Sequence, residues 1–276
     1  MNNFAMPISV LMSSPVVTVV ETASLSSANQ LLHERGVSSV AVLDEAGRAV
    51  GVLSRTDLLR VGRLEARTRD SGNEGPISAA GASHALLTFP EGRTVAEVMK
   101  HEMVALPPDA PVASAARTMV QKRIHRVFVM DGGALVGVFS TKDVLVAIRD
   151  KRHPGVIADA MSTPVFTIPV TAPLSLATDR LEKARVSGLC VVDESDWPVG
   201  TFTQTEAIAA RDVPAETPIE EVMSYAMLCI EVHTPLYRAA GYAHATRARR
   251  VLAVEGRHLK GVLTGLDFAR VAGESL

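Results

Sequence analysis

Hydrophobic and polar positions along this chain alternate between two periods in a fixed order. The stretches "LSSANQLLHERG", "VASAARTMVQKR", "LSLATDRLEKAR" and "LYRAAGYAHATR" carry apolar residues at helical spacing. Each gives way to a short apolar run, "SSVAVLD", "HRVFVMD", "SGLCVVD" or "RRVLAVE", which predicts a strand. A turn and a second apolar run follow, ending in Ser or Thr three residues before an acidic residue: "GVLSRTDLLR" at 51–60, "GVFSTKDVLV" from Gly137, "GTFTQTEAIA" from Gly200 and "GVLTGLDFAR" from Gly261. That spacing resembles a capping box at the start of another helix, with Ser54, Ser140, Thr203 and Thr264 as caps or ligand contacts.

Each phrase has an upstream head: "PISVLMSSPVVTVV" from Pro7, "TVAEVMKHEMVALP" from Thr94, "VIADAMSTPVFTIP" from Val156 and "PIEEVMSYAMLCIE" from Pro218. From the head methionine (Met12, Met99, Met161, Met223) to the acidic residue the distances are 45, 44, 45 and 44 residues, so the chain holds four copies of one unit. The unit reads as helix, strand, strand, helix behind a short extended head, an α/β (α+β) class, and the methionines as core gap-fillers. One unit with a two-stranded sheet is short of core, which predicts that units pair.

The head methionines are 87, 62 and 62 residues apart, so the first interval carries an insertion, a Gly/Ser/Ala-rich loop at about 70–93. The copies span 7–60, 94–149, 156–211 and 218–271, and "DKRHPG" at 150–155 marks the boundary between a first half, 1–150, and a second, 155–276.

Composition narrows the partners. Apolar residues make up 47% of the chain but aromatics only 4%, so the cores are built from aliphatic side chains. A net charge of -2 argues against a nucleic-acid partner, and the short cluster "ATRARR" lacks aromatic interleaving. Cys190 and Cys229 lie in apolar runs, as buried thiols of a reduced compartment do, and no apolar run is long enough to span a membrane. A cytoplasmic protein is the expectation. The eight histidines do not recur at matched repeat positions, no metal-ligand spacing appears, and no P-loop or nucleophile motif is present, which argues against an enzyme.

A head like "pIxxVMs", a helix, a strand ending in an acid and "GxxSxxD" before a final helix together resemble the cystathionine-beta-synthase-type regulatory domain, the CBS domain. All four copies share the resemblance. It implies four tandem CBS repeats arranged as two pseudo-twofold Bateman modules, with adenosine-containing ligands in clefts between repeats and no catalytic cofactor. It also implies that Asp57, Asp143, Asp267 and, more weakly, Glu206 hold ribose hydroxyls. A carboxylate suits that task because it accepts hydrogen bonds from a vicinal diol.

Basic residues near the first strand would then meet phosphate: Arg123, His125 and Arg126 in the second repeat, and Arg247, Arg249 and Arg250 in the fourth. Arg55 and Lys142 lie beside the acidic positions. The extended heads supply an apolar adenine slot from Val16, Thr18, Val104, Val165, Thr167 and Leu228. The Arg-rich strand starts favour AMP, ADP or ATP over the cationic S-adenosylmethionine. The expectation is a homodimeric sensor acting on a separate target protein; a ligand-independent scaffold is the alternative.

Overall fold

The computed structural model describes residues 4–58, 60–61, 89, 92–184, 186, 188–210 and 213–274, so the inserted segment at 70–93 falls almost wholly outside the described residues. The chain divides into two compact units. One comprises Met1–Met12, Pro107–Val127 and Phe139–Leu276, and the other Ser13–Leu106 and Phe128–Val138.

Each repeat builds a sheet of three strands, one more than the strand-strand pattern predicts. The strands are β1 (Thr18–Val20), β2 (Ser39–Leu43) and β3 (Ala49–Ser54); β4 (Ala105–Leu106), β5 (Arg126–Asp131) and β6 (Ala134–Ser140); β7 (Thr167–Pro169), β8 (Gly188–Val192) and β9 (Pro198–Thr203); β10 (Cys229–Glu231), β11 (Arg250–Glu255) and β12 (His258–Thr264). The extra strand is the end of the head, which pairs parallel with the middle strand, as in Thr18↔Ala41 and Cys229↔Leu252. At two or three residues it is too short to show a period. A parallel pair also needs a crossover, and the first helix of each repeat provides it: α1 (Leu25–Glu34), α2 (Val112–Lys122), α5 (Leu174–Lys183) and α7 (Leu236–Thr246).

The periodic residues do the packing. In α1 the residues at helical spacing, Leu25, Ala28 and Leu32, are buried, and the Ser24 hydroxyl accepts from the Ser27 N–H at 3.1 Å to cap the helix. Closing helices follow the last strand of repeats two to four: α3 (Thr141–Asp150), α6 (Gln204–Ala209) and α8 (Gly265–Glu274). Residues 55–58 are helical in the first repeat.

Heads are exchanged between sister repeats. Val95 N–H donates to the Ala23 carbonyl, and Lys100 and Val52 exchange backbone bonds of 2.9 Å, so the second head lies on the first repeat. Ser13 pairs in the same way with Val138, Ser162 with Val262, and Ser224 with Thr201. The third head likewise starts as α4 (Ile157–Ala160), whose first N–H donates to the Thr234 carbonyl. The core of the first repeat therefore includes Val95 and Met99 of the second, and that of the third includes Ile219 and Met223 of the fourth.

This exchange explains two sequence constants at once. A Cβ on Gly51 would lie 2.6 Å from the Lys100 carbonyl oxygen and 3.0 Å from Met99 Sδ; on Gly200, 2.6 Å from Met223 Sδ; on Gly261, 2.5 Å from Met161 Sδ. The head methionine of one repeat packs on the strand glycine of its sister, where any larger residue would have to displace it. Met99 and Met223 are buried as gap-fillers; Met12 and Met161 are half-buried.

Within the first unit, the helices of repeats two and four pack together, α2 against α8 and α3 against both α7 and α8. Their buried faces are rich in Ala and Gly, including Ala147, Ala239, Ala240, Ala269 and Ala272. Small residues let helix axes come close. The approach is close at the helix starts, where a Cβ on Gly265 would lie 2.6 Å from Thr141 Oγ1.

Candidate functional site

The four acidic residues do the same local job. Backbone N–H and hydroxyl of the preceding Ser or Thr both donate to one carboxylate oxygen: Ser54 to Asp57, Ser140 to Asp143, Thr203 to Glu206 and Thr264 to Asp267. For Asp143 these bonds are 2.7 and 2.8 Å. Each acid thus fixes the turn from strand into helix, as a capping box does. Glu206 reaches the same geometry despite its extra methylene.

The second carboxylate oxygen separates the repeats. Asp57, only 2% exposed, is met by Lys100 Nζ at 3.2 Å and by Arg60 at 3.3 Å. Asp267, 8% exposed, accepts from the Ser162 hydroxyl at 2.6 Å, and Arg270 stands 3.9 Å away. Oδ1 of Asp143 has no hydrogen-bond or ion-pair partner among the described residues. Burial pushes the Asp143 carboxyl above the usual range, although the Ser140 bonds and the charge of Lys142 pull it down.

Around Asp143 the structure gathers the cations of two repeats. Arg126, at the start of β5, and Arg250, at the start of β11, occupy matched positions; His125 and Arg249 stand just before them. Burial, then the charge of Arg249, brings Arg126 down to about 10, with Asp143 opposing. Lys142 is lowered by burial and by repulsion from Arg249, Arg126 and Arg247. Burial and then the three arginines 126, 249 and 250 favour the neutral His125 imidazole. Arg250 is lowered by burial and Arg249, against the attraction of Glu206. Mutual repulsion of this kind marks a concentration of positive charge around Asp143. The N-terminus of α3, with its backbone N–H groups, adds to it.

Other predicted residues are placed differently. Arg123 and Arg247 are exposed and end α2 and α7 in the left-handed conformation, at φ 52° and 56°, where the first repeat has Gly36 at φ 61°. Non-glycine residues adopt it at a cost of about 1 kcal/mol. Arg247 still lies close enough to Lys142 to repel it. Arg55 donates to the Leu32 carbonyl at 3.1 Å, near the end of α1. Of the adenine candidates, Thr18 and Thr167 lie in head strands. Val104 and Leu228 use their carbonyls to accept from Phe128 and Leu252. Val165 packs on Cys190, Val192 and Leu252 between the third and fourth sheets, and Val16 is half-buried. There burial pushes the Cys190 thiol up to about 12.

The sequence reading missed Lys100 and Ser162. Both directly follow a head methionine, as do Ser13 and Ser224, so the repeat register carried the signal. It was silent until the exchange of heads showed which acid each one faces.

Comparison with known proteins agrees with the geometry. The CBS domain family matches residues 8–63, 95–150 and 157–212. The fold resembles protein MJ1225 of Methanocaldococcus jannaschii, with a TM-score of 0.74 and 18% identity over 96% of this chain and 99% of that one. It also resembles an uncharacterized conserved protein from Pyrococcus horikoshii, with a TM-score of 0.68 and 18% identity over 97% of this chain and 100% of the other. Curated relatives include the uncharacterized protein MJ1404 of Methanocaldococcus jannaschii, 24% identical over 53% of this chain and 33% of its own length. A 33.4 kDa protein of Thermofilum pendens is 23% identical over 69% of this chain and 59% of its own. The chain thus spans between a third and three fifths of these two relatives. Fold and site define a tandem-repeat protein with a cationic site beside a helix N-terminus. The chain belongs to the CBS domain family, as four repeats paired into Bateman modules.

Proposed function

We propose that this protein is a regulatory module that binds an adenosine-containing ligand, AMP, ADP or ATP, and passes its presence to a partner protein. It acts by binding rather than by catalysis. The observation that carries the reading is the convergence of Arg126, Arg249 and Lys142 beside Asp143. A vicinal diol suits the carboxylate and a phosphate chain suits the cations, and both lie at the N-terminal end of α3. A sulfonium ligand would be repelled by the same groups, which places S-adenosylmethionine behind the phosphates. Head exchange supports residues 1–150 and 155–276 as the two modules, so a ligand that binds two repeats differently in two arrangements would shift their balance.

The test is thermal unfolding of the nucleotide-stripped chain with AMP, ADP, ATP, S-adenosylmethionine and cyclic dinucleotides. A ligand of the native state raises the midpoint by linkage, about 2.7 kcal/mol of stabilisation at a hundred times its Kd. The expected result is a rise with a phosphorylated adenosine compound. No rise with any of them at millimolar concentration removes the sensor reading and leaves a scaffold for a protein partner.

A further inference from the structure

Four repeats carry the same acidic residue, yet their second carboxylate oxygens differ. Lys100 and Arg60 take that of Asp57, and the Ser162 hydroxyl takes that of Asp267. In the third repeat the charge of Glu206 attracts Arg250, whose guanidinium lies against Gly188, 2.8 Å from where a Cβ would stand. At Asp143 and Glu206 the oxygen left by the cap has no hydrogen-bond or ion-pair partner among the described residues, and of the two it is Asp143 whose surroundings hold Lys142, Arg126 and Arg249 together.

We infer that the residue after the head methionine sets which repeat takes a ligand: Lys100 and Ser162 close the diol subsites of Asp57 and Asp267, and one nucleotide binds per chain, on Asp143. The inference rests on the nucleotide-binding reading and sharpens it. A ribose has to offer both hydroxyls to a carboxylate with acceptor capacity to spare. Asp57 and Asp267 spend theirs on protein donors that a ligand would first have to displace. Displacing Ser162 strands a hydroxyl bonded 105 residues away in the chain, and displacing Lys100 removes a counter-charge from a carboxylate almost sealed from water. At the third repeat the space a side chain would fill at the start of β8, beside Gly188, is held by the Arg250 guanidinium, and Glu206 replaces the aspartate of the other three repeats. The post-methionine position is thus a specificity-determining one, and Ser224, whose hydroxyl instead accepts from the Ala226 N–H at 3.2 Å, shows that the sister-repeat contact is not automatic.

The experiment is calorimetric titration of the full chain with ATP, for the parent and for Asp57→Asn, Asp143→Asn, Glu206→Gln and Asp267→Asn. These changes keep an oxygen to accept the cap bonds. The expected result is one site per chain in the parent, at least about tenfold weaker in Asp143→Asn and within about twofold of the parent in the other three. Two or more equivalent sites, or an equal loss in Asp57→Asn or Asp267→Asn, would overturn the inference while leaving nucleotide binding intact. Absence of binding in the parent with every adenine nucleotide would instead remove the reading beneath it, and the inference with it. Should a variant fail to fold, native mass spectrometry of the parent with ATP counts bound nucleotides directly, one being expected and two contradicting it.

Discussion

Asp57 and Asp143 hold the same place in their repeats, cap the same turn and differ in everything beyond it. The first is sealed and answered by Lys100 and Arg60. The second keeps an oxygen unbonded among the described residues and stands among cations from two repeats that repel one another. The first is answered by protein charges, and the second carries a burial cost that the charges around it only partly offset. The lesson is that a repeated motif supplies a scaffold position, and the residues that meet it from the sister repeat decide its use.

The widest separation between the two should appear on removing the acid in the first repeat. Asp57→Ala uncaps the turn and strands a lysine, so denaturant unfolding should show a loss of about 2–3 kcal/mol. A loss below about 1 kcal/mol would erase the contrast. Lys100→Met tests the same pair from its exposed end. With 56% of that side chain in water, the loss should be only about 0.5–1 kcal/mol.

Asp143 should behave in the opposite sense. Its folded-state pKa is raised, so the folded chain binds the proton more tightly, and this contribution is present at low pH and lost as pH rises through the folded value. At pH 7 the charged form carries the burial cost. Ligand-free Asp143→Asn should therefore unfold at or slightly above the parent midpoint at pH 7, with the advantage shrinking towards pH 4. A clearly lower midpoint at pH 7 would make Asp143 a second Asp57. The smallest effect belongs to Arg249→Gln. Relieving its repulsion on Arg126, Lys142, His125 and Arg250 should stabilise the ligand-free chain by a few tenths of a kcal/mol at low salt, and the gain should vanish in molar salt.

Much of this fold was legible because repetition amplifies weak signals. A single "GVxSxxD" says little, whereas four in constant register define helices, strands and caps. The third strand was not legible, since Ala105–Leu106 is two residues long and is a strand only through its partner Phe128–Val129. The Met–Gly couples were visible as constants but not as contacts, because sequence does not say that heads are exchanged. At the site, the basic character of the second and fourth repeats was readable. Their meeting was not: the sequence names the basic residues of the two repeats separately, and the packing of α3 on α7 and α8 brings Arg126 and Arg249 within reach of each other's charge.

That shared field is the central claim, and a double-mutant cycle tests it most directly. ATP affinity would be measured for the parent, Arg126→Gln, Arg249→Gln and the double variant. If both arginines grip one phosphate chain, each single change weakens binding by about tenfold or more and the double loses clearly less than the product of the two. Losses that multiply, or an Arg249→Gln affinity equal to the parent's, would place the two arginines in separate sites and contradict the account.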